Sequence, residues 1–594
     1  MKSFKSVARE SFKLMNKDKK TVFFFTLIYT GLAGFIIAPL AVFLFSKSLF
    51  VNNLYYLGGD TIVSYLLSPL TWIFLVALFL VFTYLQLIQI GGYSHVYSSL
   101  YQDKKLKFTE IVAGGVLPFK KLAKPKNWLI IPFAILLFPF TGFMSATSVG
   151  FSISVPGFIM DVIKKNPLFL VLFVVFYLVL MCVALRYIFS FWVFSFDSEV
   201  SFGEACRDSK SLMKGRLLKT FVYLILWYLI YLAIAITITL AIFFGSYAVS
   251  ALLGGEASKV SSICVGVCVY LFSLGIPVWT YSFISVLFFN LSEEEKKERI
   301  HREYRFGKTS GIVFVVILVL LVVFSAYEYS FFPEISVVSG KRPEIMAHRG
   351  DSVRAPENSL PAFDLATKEE DVTWIELDIH QTKDGKIIIS HDDNLKRICG
   401  QSIYVYDKTY EELQELEVGS WFSEEFRGLK LATLDEAFDL LKGKVKIQVE
   451  IKPTKADDHI EEAVIDIIRS HDMVDDVVVL SISDAPLRRI KEIAPDITTM
   501  YCMPLALGFV ENIPFADLLS IEESNISASL VASAHEIGKQ CFVWTINDPE
   551  NVQHLVDIGV DGILTDDPIM MKEALDDCDY DMGALRTLRF LIGF

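Results

Sequence analysis

The chain has 594 residues, of which 53% are hydrophobic and 14% aromatic, and its 68 acidic side chains outnumber the 55 basic ones, for a net charge of -13 at pH 7. A single hydrophobic core seldom exceeds roughly 250–300 residues, so at least two domains are expected. The negative charge argues against a nucleic-acid partner, because a phosphate backbone requires a basic surface, and the eight cysteines include no CxxC pair that would indicate a thiol metal site.

The N-terminal half is dominated by apolar runs long enough to cross a bilayer. A membrane-spanning helix needs about 20 mostly apolar residues. Runs of this kind lie at 21–46, 65–92, 128–148, 167–195, 218–246, 261–290 and 310–331. The basic segment before the first run is too long and too charged for a cleaved signal peptide. We therefore predict a polytopic membrane domain over residues 1–335 with about seven transmembrane helices.

The loops between these runs differ in charge, and this difference predicts the orientation. Lysine and arginine near span ends are retained on the cytoplasmic side. The N-terminal segment, "YQDKKLKFTEIVAGGVLPFKKLAKPKN" and "RDSKSLMKGRLLK" are lysine-rich, whereas "SLFVNNLYYLGGD" and "GSYAVSALLGGEASK" are poor in basic residues. "MDVIKKNP" is an exception. With a cytoplasmic N-terminus and an odd number of spans, the C-terminal domain is expected to be extracellular at the cell membrane.

From residue 343 onward, short β-branched runs alternate with amphipathic stretches of helical length. The predicted strands are "EIMAHRG", "TWIELDIHQ", "KIIISHDD", "KVKIQVEIKP", "DVVVLSIS", "ITTMYC", "CFVWTIN" and "DGILTDDP". Helical stretches such as "TLDEAFDLLKG" and "HIEEAVIDIIRSH" lie between them. Such alternation indicates parallel strands joined by crossover helices, and about eight repeats favour a closed (β/α)8 TIM barrel. The predicted barrel domain spans 343–577 and is followed by a tail at 578–594.

Polar side chains concentrate where the predicted strands end, which is where barrel enzymes place their active sites. They are His348, Arg349, Glu376, Asp378, His391, Glu450 and Lys452. Glu376 and Asp378 lie two residues apart in a strand, so both carboxylates point to the same side. With Glu450 they form an all-oxygen set that suits one divalent cation, and the extracellular prediction favours Ca²⁺ over Mg²⁺.

The remaining residues complete a set suited to phosphodiester cleavage. His348 and His391 can gain and lose protons near neutral pH, so they are candidates for catalytic base and acid. Arg349 and Lys452 supply fixed positive charge for a phosphate oxygen. A structural role is an equally good reading for any one of these residues alone, but a poor one for the whole set. His380 continues the alternation of Glu376 and Asp378, yet its predicted place at a strand edge leaves it outside the site.

The second half of the chain resembles the glycerophosphodiester phosphodiesterase family. The resemblance is carried by "AHRGDSVRAPENSLPAF", "WIELDIHQTKDGKIIISHDD", "QVEIKP", "VWTIN" and "GVDGILTDDP", and it runs through nearly all of 343–575. It implies a (β/α) barrel that uses a divalent cation to hydrolyse a glycerophosphodiester to glycerol 3-phosphate and an alcohol. Carried over to this chain, His348 and His391 match the catalytic pair and Glu376, Asp378 and Glu450 the metal ligands. Arg349 and Lys452 match basic positions of the site.

The first half is similar to the multi-span domain that precedes this catalytic domain in some bacterial members of the family. The expected partners are therefore the lipid bilayer and a glycerophosphodiester or glycerophosphate polymer, such as a deacylated phospholipid or the poly(glycerol phosphate) of lipoteichoic acid. Two alternatives stay open: phospholipase-type cleavage of intact lipids, and a transporter or lipid-handling membrane module with an accessory barrel. The oligomeric state is not predicted.

The resemblance also suggests a mechanism, in which a glycerol hydroxyl attacks its own phosphorus and water then opens the cyclic phosphate. Analogy with related barrel phospholipases makes His348 the base and His391 the acid, although the residues alone leave the direction open. The insertion at 394–430 is expected to form a lid or substrate wall with Trp421 and Phe422, or simply to pack on the barrel. The apolar and basic end "ALRTLRFLIGF" either touches a membrane surface or is a frayed tail.

Overall fold

The computed structural model describes residues 2–54, 56–57, 59–134, 160, 163–164, 166–196, 200–252, 257–292, 306–329, 341–505, 507–508 and 513–580. The described residues form two compact units. The first is drawn from Met1–Ser48, Trp72–Ile153 and Asp161–Phe331, and the second from Leu49–Thr71, Ser154–Met160 and Phe332–Phe594. The loop that follows the first long helix thus belongs to the same unit as the C-terminal domain.

The first unit is built from helices. The described helices before residue 330 are α1 (Phe4–Lys17), α2 (Lys19–Phe50), α3 (Gly59–Leu67), α4 (Pro69–Tyr101), α5 (Phe108–Val116), α6 (Pro167–Arg186), α7 (Ser190–Phe196), α8 (Phe202–Met213), α9 (Leu217–Leu252), α10 (Ala257–Leu291) and α11 (Lys308–Tyr329). Two 3-10 turns, Leu117–Ala123 and Pro125–Asn127, follow α5. Only α3 lies wholly in the second unit.

Five described helical stretches are long and apolar enough to cross a membrane: Lys19–Phe50, Pro69–Tyr101, Pro167–Ser195, Leu217–Ser246 and Leu274–Leu291. They correspond to five of the predicted spans. The prediction at 310–331 corresponds to α11, in which the apolar stretch Gly311–Ala326 is shorter. The prediction at 128–148 lies outside the described residues from 135 onward. The multi-span architecture is confirmed, and the number seven stays a prediction.

Aromatic side chains hold α9 and α10 together in the interior of this unit. The rings of Trp227 and Trp279 stack with centroids 4.3 Å apart. Each indole N–H donates to the backbone carbonyl of the other residue at 3.0 Å. Because a buried indole N–H needs an acceptor, this reciprocal pair satisfies both donors without water.

The second unit contains the predicted barrel. Its strands, with one short strand from the loop after α2, are β1 (Tyr56–Leu57), β2 (Glu344–His348), β3 (Val372–Gln381), β4 (Ile387–Ile389), β5 (Lys446–Ile451), β6 (Val477–Ser481), β7 (Thr498–Met503), β8 (Leu507–Gly508), β9 (Leu518–Glu522), β10 (Cys541–Trp544) and β11 (Gly562–Thr565). Eight of them are parallel neighbours in the order β2-β11-β10-β9-β7-β6-β5-β3, and pairing of β2 with β3 closes the cylinder. The barrel prediction is confirmed.

The crossover helices surround this cylinder. They and the shorter helices of the insertion are α12 (Leu360–Ala366), α13 (Lys396–Cys399), α14 (Tyr410–Leu413), α15 (Leu434–Leu441), α16 (Ile460–Ser470), α17 (Asp484–Ile493), α18 (Ala528–Glu536), α19 (Val552–Ile558) and α20 (Pro568–Asp576). The apolar faces of the crossover helices pack on the outward side chains of the strands in one continuous core.

One strand assignment from the sequence is wrong. "KIIIS" forms β4, which pairs antiparallel with β3 rather than joining the barrel. The short link between them, in which the Lys386 N–H donates to Thr382 Oγ1, permits only an antiparallel return, because a parallel crossover needs a dozen or more residues. The eighth barrel strand is instead β9, "LLSIE", which the sequence prediction missed.

Side chains that point into the barrel form an apolar floor below a polar rim. Residues of alternate position on successive strands make the floor: Met346, Trp374, Val478, Leu480, Met500, Cys502, Phe542 and Leu564. Two residues further along their strands, the same alternation brings His348 on β2, Glu376 on β3 and Asp566 just beyond β11 to the inward side. The polar groups therefore gather at the carboxyl end of the barrel.

The described residues between β7 and β9 carry the short strand β8 rather than a crossover helix. β8 pairs antiparallel with β1, from the loop between α2 and α4. Tyr56 of β1 is buried in the barrel core, with its ring 5.3 Å from that of Tyr501 and its hydroxyl 3.2 Å from Asp484 Oδ2. This loop is thus part of the outer layer of the barrel unit.

Candidate active site at the carboxyl end of the barrel

Strand register alone brings four of the predicted site residues side by side. His348 on β2 is the register partner of Glu376 on β3, and Asp378 is the partner of Glu450 on β5. All three carboxylates are buried. One oxygen of each lies within 4.8 Å of the others, as metal ligands must. The predicted acidic set is therefore assembled in one place.

The electrostatics of this cluster fit a bound divalent cation. Burial and the neighbouring charges of Asp378 and Glu450 raise the pKa of Glu376 well above its usual range. Glu376 Oε1 is buried and, among the described residues, accepts no hydrogen bond. A hard cation would satisfy this oxygen and relieve the repulsion between the carboxylates, and the all-oxygen donor set suits Ca²⁺ or Mg²⁺.

Two basic side chains flank the carboxylates. Lys452 Nζ lies 3.0 Å from Asp378 Oδ1 and 2.8 Å from Glu450 Oε1, and Arg349 Nε lies 3.2 Å from Asp378 Oδ2. Burial would raise the pKa of Asp378, but the positive charges of Lys452 and Arg349 hold it well below its usual range. Asp378 is thus ionised, and the two cations are placed where a phosphate could share them.

The turn after β2 explains the glycine of the "HRG" motif. Arg349 and Gly350 both have positive φ, 61° and 81°. A Cβ on Gly350 would lie 2.7 Å from the backbone carbonyl carbon of Ala362. Only glycine fits this turn, which directs the backbone N–H of Arg349 to Glu376 Oε2 at 3.1 Å.

His348 is oriented by an aspartate that the sequence analysis did not assign. Its Nδ1 lies 2.6 Å from Asp566 Oδ1. Asn547 Nδ2 donates to Asp566 Oδ2 at 2.6 Å, and the Ser352 hydroxyl donates to Oδ1 at 3.2 Å. Burial would raise the pKa of Asp566, but the contact with His348, the hydrogen bond from Asn547 and the charge of Arg349 lower it to about 2. Burial and the charge of Arg349 lower the pKa of His348, which favours a neutral imidazole.

His391 has an aspartate of its own. Its Nδ1 lies 2.8 Å from Asp392 Oδ1, while Arg397 Nε donates to Asp392 Oδ2 at 2.7 Å. Arg397 also donates through its two terminal guanidinium nitrogens, Nη2 and Nη1, to Glu357, at 2.7 and 2.9 Å. His348 is the register partner of Glu376, and Ser390, the residue before His391, donates its N–H to the backbone carbonyl oxygen of Asp378 at 3.0 Å, so both histidines lie beside the carboxylates.

Two further residues hold this arrangement. Asn358 donates to Asp378 Oδ2 at 2.7 Å and accepts from the Asp378 N–H at 3.1 Å. His380 is buried next to the last residue of β3, and its Nε2 lies 3.1 Å from the carbonyl oxygen of His391. His380 therefore contacts the backbone of a site residue rather than the carboxylates, consistent with leaving it out of the ligand set.

The four site residues that were not predicted lie at positions that the sequence could have indicated. Asp566 and Asn547 follow β11 and β10 within "GILTDDP" and "VWTIN", at the same barrel end as the predicted site. Asp392 lies next to His391, and Asn358 lies in "APENSL". Position at a strand end could have marked Asp566 and Asn547, but the contact of Asp566 with His348 depends on barrel closure.

The insertion forms a wall beside His391. It has a small core of its own, made by Leu395, Val405, Leu413 and Val418 with strand residues. Trp421 packs 5.5 Å from the guanidinium carbon of Arg397 and is 39% exposed. Trp421, Arg397 and Lys430 line a small cavity that also includes His391. The insertion thus packs on the barrel and also borders the site, whereas the predicted tail is outside the described residues from 581 onward.

Two family models match this chain. The model of the glycerophosphoryl diester phosphodiesterase family matches residues 348–570. The model of the membrane domain of glycerophosphoryl diester phosphodiesterase matches residues 8–325. Together they cover both units.

Individual proteins match the barrel domain. The chain is 34% identical over 230 residues to the Bacillus subtilis (strain 168) protein YhdW, covering 38% of this chain and 94% of that protein. It is 35% identical over 235 residues to a glycerophosphodiester phosphodiesterase of Caldanaerobacter subterraneus subsp. tengcongensis, with the same coverage of 38% and 94%. The solved structure of an Oleispira antarctica phosphodiesterase in complex with the product sn-glycerol-3-phosphate is 26% identical, covers 42% of this chain and 99% of that one, and has a TM-score of 0.36.

Proposed function

Because this chain belongs to the glycerophosphoryl diester phosphodiesterase family and carries its catalytic and membrane domains together, we propose that it is a membrane-tethered, cation-dependent enzyme acting outside the cell. It is a glycerophosphodiester phosphodiesterase and a membrane protein. The observation that carries the proposal is the cluster of three buried carboxylates within 4.8 Å of one another, beside two aspartate-bound histidines.

In the proposed reaction, each residue of this site has its own role. A hydroxyl of the substrate glycerol attacks phosphorus, and His348 takes its proton. His348 is oriented by Asp566, while burial and the charge of Arg349 lower its pKa and favour the neutral imidazole. As the new P–O bond forms, the bond to the alcohol breaks and His391 protonates the departing oxygen. Water then opens the cyclic phosphate to glycerol 3-phosphate, with the two histidines exchanging roles. Arg349 and Lys452 stabilise the negative charge on the phosphate oxygens.

A divalent cation bound by Glu376, Asp378 and Glu450 would polarise the phosphate and the attacking hydroxyl. Calcium is favoured, because the proposed extracellular location supplies it and an oxygen-only site accepts it. Magnesium is the alternative. Glu376 Oε1 accepts no hydrogen bond from the part of the chain that the structure describes, which supports a cation of either kind.

The proposed substrates are diesters with an intact glycerol 3-phosphate end, either deacylated phospholipids or the poly(glycerol phosphate) of a cell-wall polymer. Attack by a free glycerol hydroxyl requires that this hydroxyl is not esterified, which argues against intact diacyl lipids. The cavity that includes His391 is bordered by the ion pair of Arg397 with Glu357 and by Lys430, and the cationic side chain of Lys430 supports an anionic alcohol such as the next unit of a polymer.

The proposed orientation has support beyond loop charge. β1 lies in the loop between α2 and α4 and pairs with β8 of the barrel domain, so this loop and the barrel must lie on the same side of the membrane. The N-terminal segment before α2 is on the other side if α2 crosses once. That segment has five basic residues against two acidic ones, which favours the cytoplasm.

The test is release of glycerol 3-phosphate from a glycerophosphodiester by the full-length protein in detergent or nanodiscs. We expect His348→Ala and His391→Ala each to lose about 10²–10⁴-fold in kcat, the usual contribution of general acid–base catalysis. Glu492→Gln, an exposed carboxylate on α17, is the matched control and should retain activity. Full turnover in both histidine variants, or release of diacylglycerol or phosphatidic acid from intact lipids as the main activity, would contradict the proposal.

A further inference from the structure

The helical unit contains an apolar groove that neither the catalytic site nor the family comparison explains. It has a volume of about 740 Å³ and lies between α2 and α11, with α4 as its floor and α5 at one end. Its wall on α2 runs from Phe25 to Leu40, a length of about 22 Å at 1.5 Å per residue. Groove residues on α11 include Val313, Ile317 and Leu321. Its length and lining suit an acyl chain.

One end of the groove is closed by tight backbone packing. α5 packs directly on α4, since a Cβ on Gly115 would lie 2.5 Å from the carbonyl oxygen of Ile88. The rings of Tyr84 and Phe119 lie 4.4 Å apart beside this contact, and both line the groove. The closed end is therefore formed by fixed elements rather than by loose side chains.

This end carries the one charged side chain in the described lining of the groove, Lys120. The side chain is exposed, whereas the adjacent Lys121 turns inward and donates to the Phe194 carbonyl oxygen at 2.7 Å. The segment 102–127 around them has seven lysines against two acidic residues. Basic pockets between transmembrane helices on the cytoplasmic side bind anionic lipid headgroups.

From the groove, its closed end and its cationic border, we propose that the membrane domain binds one anionic diacyl phospholipid from the cytoplasmic leaflet. An acyl chain lies between α2 and α11, and the headgroup phosphate pairs with Lys120. A zwitterionic lipid offers the same chain but no net charge, so it binds more weakly. The lipid is a ligand of the membrane domain and not the substrate of the barrel, from which the proposed orientation separates it by the thickness of the bilayer.

The experiment is native mass spectrometry of the full-length protein in detergent, titrated with phosphatidylglycerol or phosphatidylcholine of identical chains. We expect tighter binding of phosphatidylglycerol. Lys120→Gln should weaken phosphatidylglycerol binding about fivefold, equivalent to about 1 kcal/mol for one lysine near a membrane surface. Phosphatidylcholine binding should fall less, because its choline group already offsets the charge of the phosphate. Lys124→Gln, an exposed lysine outside the groove lining, is the charge control and should bind like the wild type.

A second pair of variants tests the groove itself. Val313→Trp fills it, whereas Val316→Trp adds the same volume to a half-exposed position of α11 that does not line it. Val313→Trp should lower the binding of both lipids, and Val316→Trp neither. Equal affinity for the two lipids in the wild type, unchanged phosphatidylglycerol binding in Lys120→Gln, or equal binding by the two tryptophan variants would overturn the proposal. Glycerol 3-phosphate release, measured in parallel, tests the barrel independently.

Discussion

Asp392 and Asp566, which contact His391 and His348, have their negative charges compensated by different partners. Asp392 accepts from Arg397 at 2.7 Å, so its charge is compensated whether or not His391 is protonated. Asp566 accepts instead from the neutral side chains of Asn547 and Ser352. The imidazole of His348 is therefore the main cationic partner available to Asp566 in its hydrogen-bonding shell. This difference suits a base that must stabilise the proton that it receives.

Replacement of Asp566 tests whether this residue only orients the His348 ring or also acts through its negative charge. We expect Asp566→Asn to lower kcat about 10–100-fold with little change in KM, as loss of an orienting partner does elsewhere. The Asp566 charge raises the pKa of His348, so its removal lowers that pKa and moves the acid limb of the kcat/KM profile to lower pH. If kcat falls but the acid limb of the kcat/KM profile stays at the same pH, the role of Asp566 is merely structural. Asp496→Asn, an exposed partner of Arg469, is the control.

Glu376 allows a direct test of the cation. Without its carboxylate, the remaining ligands are Asp378 and Glu450, both already close to Lys452. Activity should vanish on chelation and return with Ca²⁺ or Mg²⁺. In Glu376→Gln the cation concentration for half activity should rise by more than the roughly 10–100-fold that loss of an outer-shell partner costs. Full activity after exhaustive chelation would exclude the proposed cation.

At the scale of elements, the pairing of β1 with β8 replaces a crossover helix by a loop from far earlier in the chain. Tyr56 fills the resulting gap against Tyr501 and Phe515, and its hydroxyl donates to Asp484. The barrel core therefore includes a side chain from between the first two membrane-spanning helices. Truncation of the Tyr56 side chain would leave a cavity in the core.

We expect Tyr56→Ala to destabilise the barrel by about 3–5 kcal/mol, as truncation of a buried aromatic ring does, and Tyr56→Phe by only about 1 kcal/mol for one hydrogen bond. The readout is the temperature of half-inactivation of glycerol 3-phosphate release, which reports on the barrel alone. Tyr404→Ala, an exposed tyrosine of the insertion, is the control. Inactivation of Tyr56→Ala at the wild-type temperature would show that the loop does not stabilise the barrel.

At the scale of the whole molecule, orientation decides which substrates the barrel can reach. The proposed arrangement puts the loop after α2 and the barrel outside, and the lysine-rich segment after α4 inside. A membrane-impermeant maleimide should therefore label Asn53→Cys and Glu425→Cys in intact cells above the background of the native cysteines. Lys105→Cys should be labelled only after permeabilisation. The reverse pattern would place the barrel domain on the cytoplasmic side and exclude the cell-wall polymer as a substrate.

Local patterns in the sequence were enough to predict the barrel, the apolar helices of the first unit and most strands and helices, whereas the roles of the seven site residues stay a prediction. Apolar runs of bilayer length, strand alternation and helical spacing are properties of neighbouring residues, so they can be read without the fold. The two-residue spacing of Glu376 and Asp378 already places both carboxylates on one face. The strand prediction failed at "KIIIS", where apolar composition does not distinguish a hairpin return from a barrel strand.

Only the tertiary structure decided which residues from distant segments meet. The pairing of His348 with Asp566 spans 218 positions, and the bond between Tyr56 and Asp484 spans 428. Such contacts depend on closure of the barrel and on register across several strands, and no local pattern contains that information. The candidate site residues thus lie in short motifs that the sequence shows directly. The orientation of the two histidines and the pairing of the loop with the barrel depend on contacts that exist only in the closed barrel.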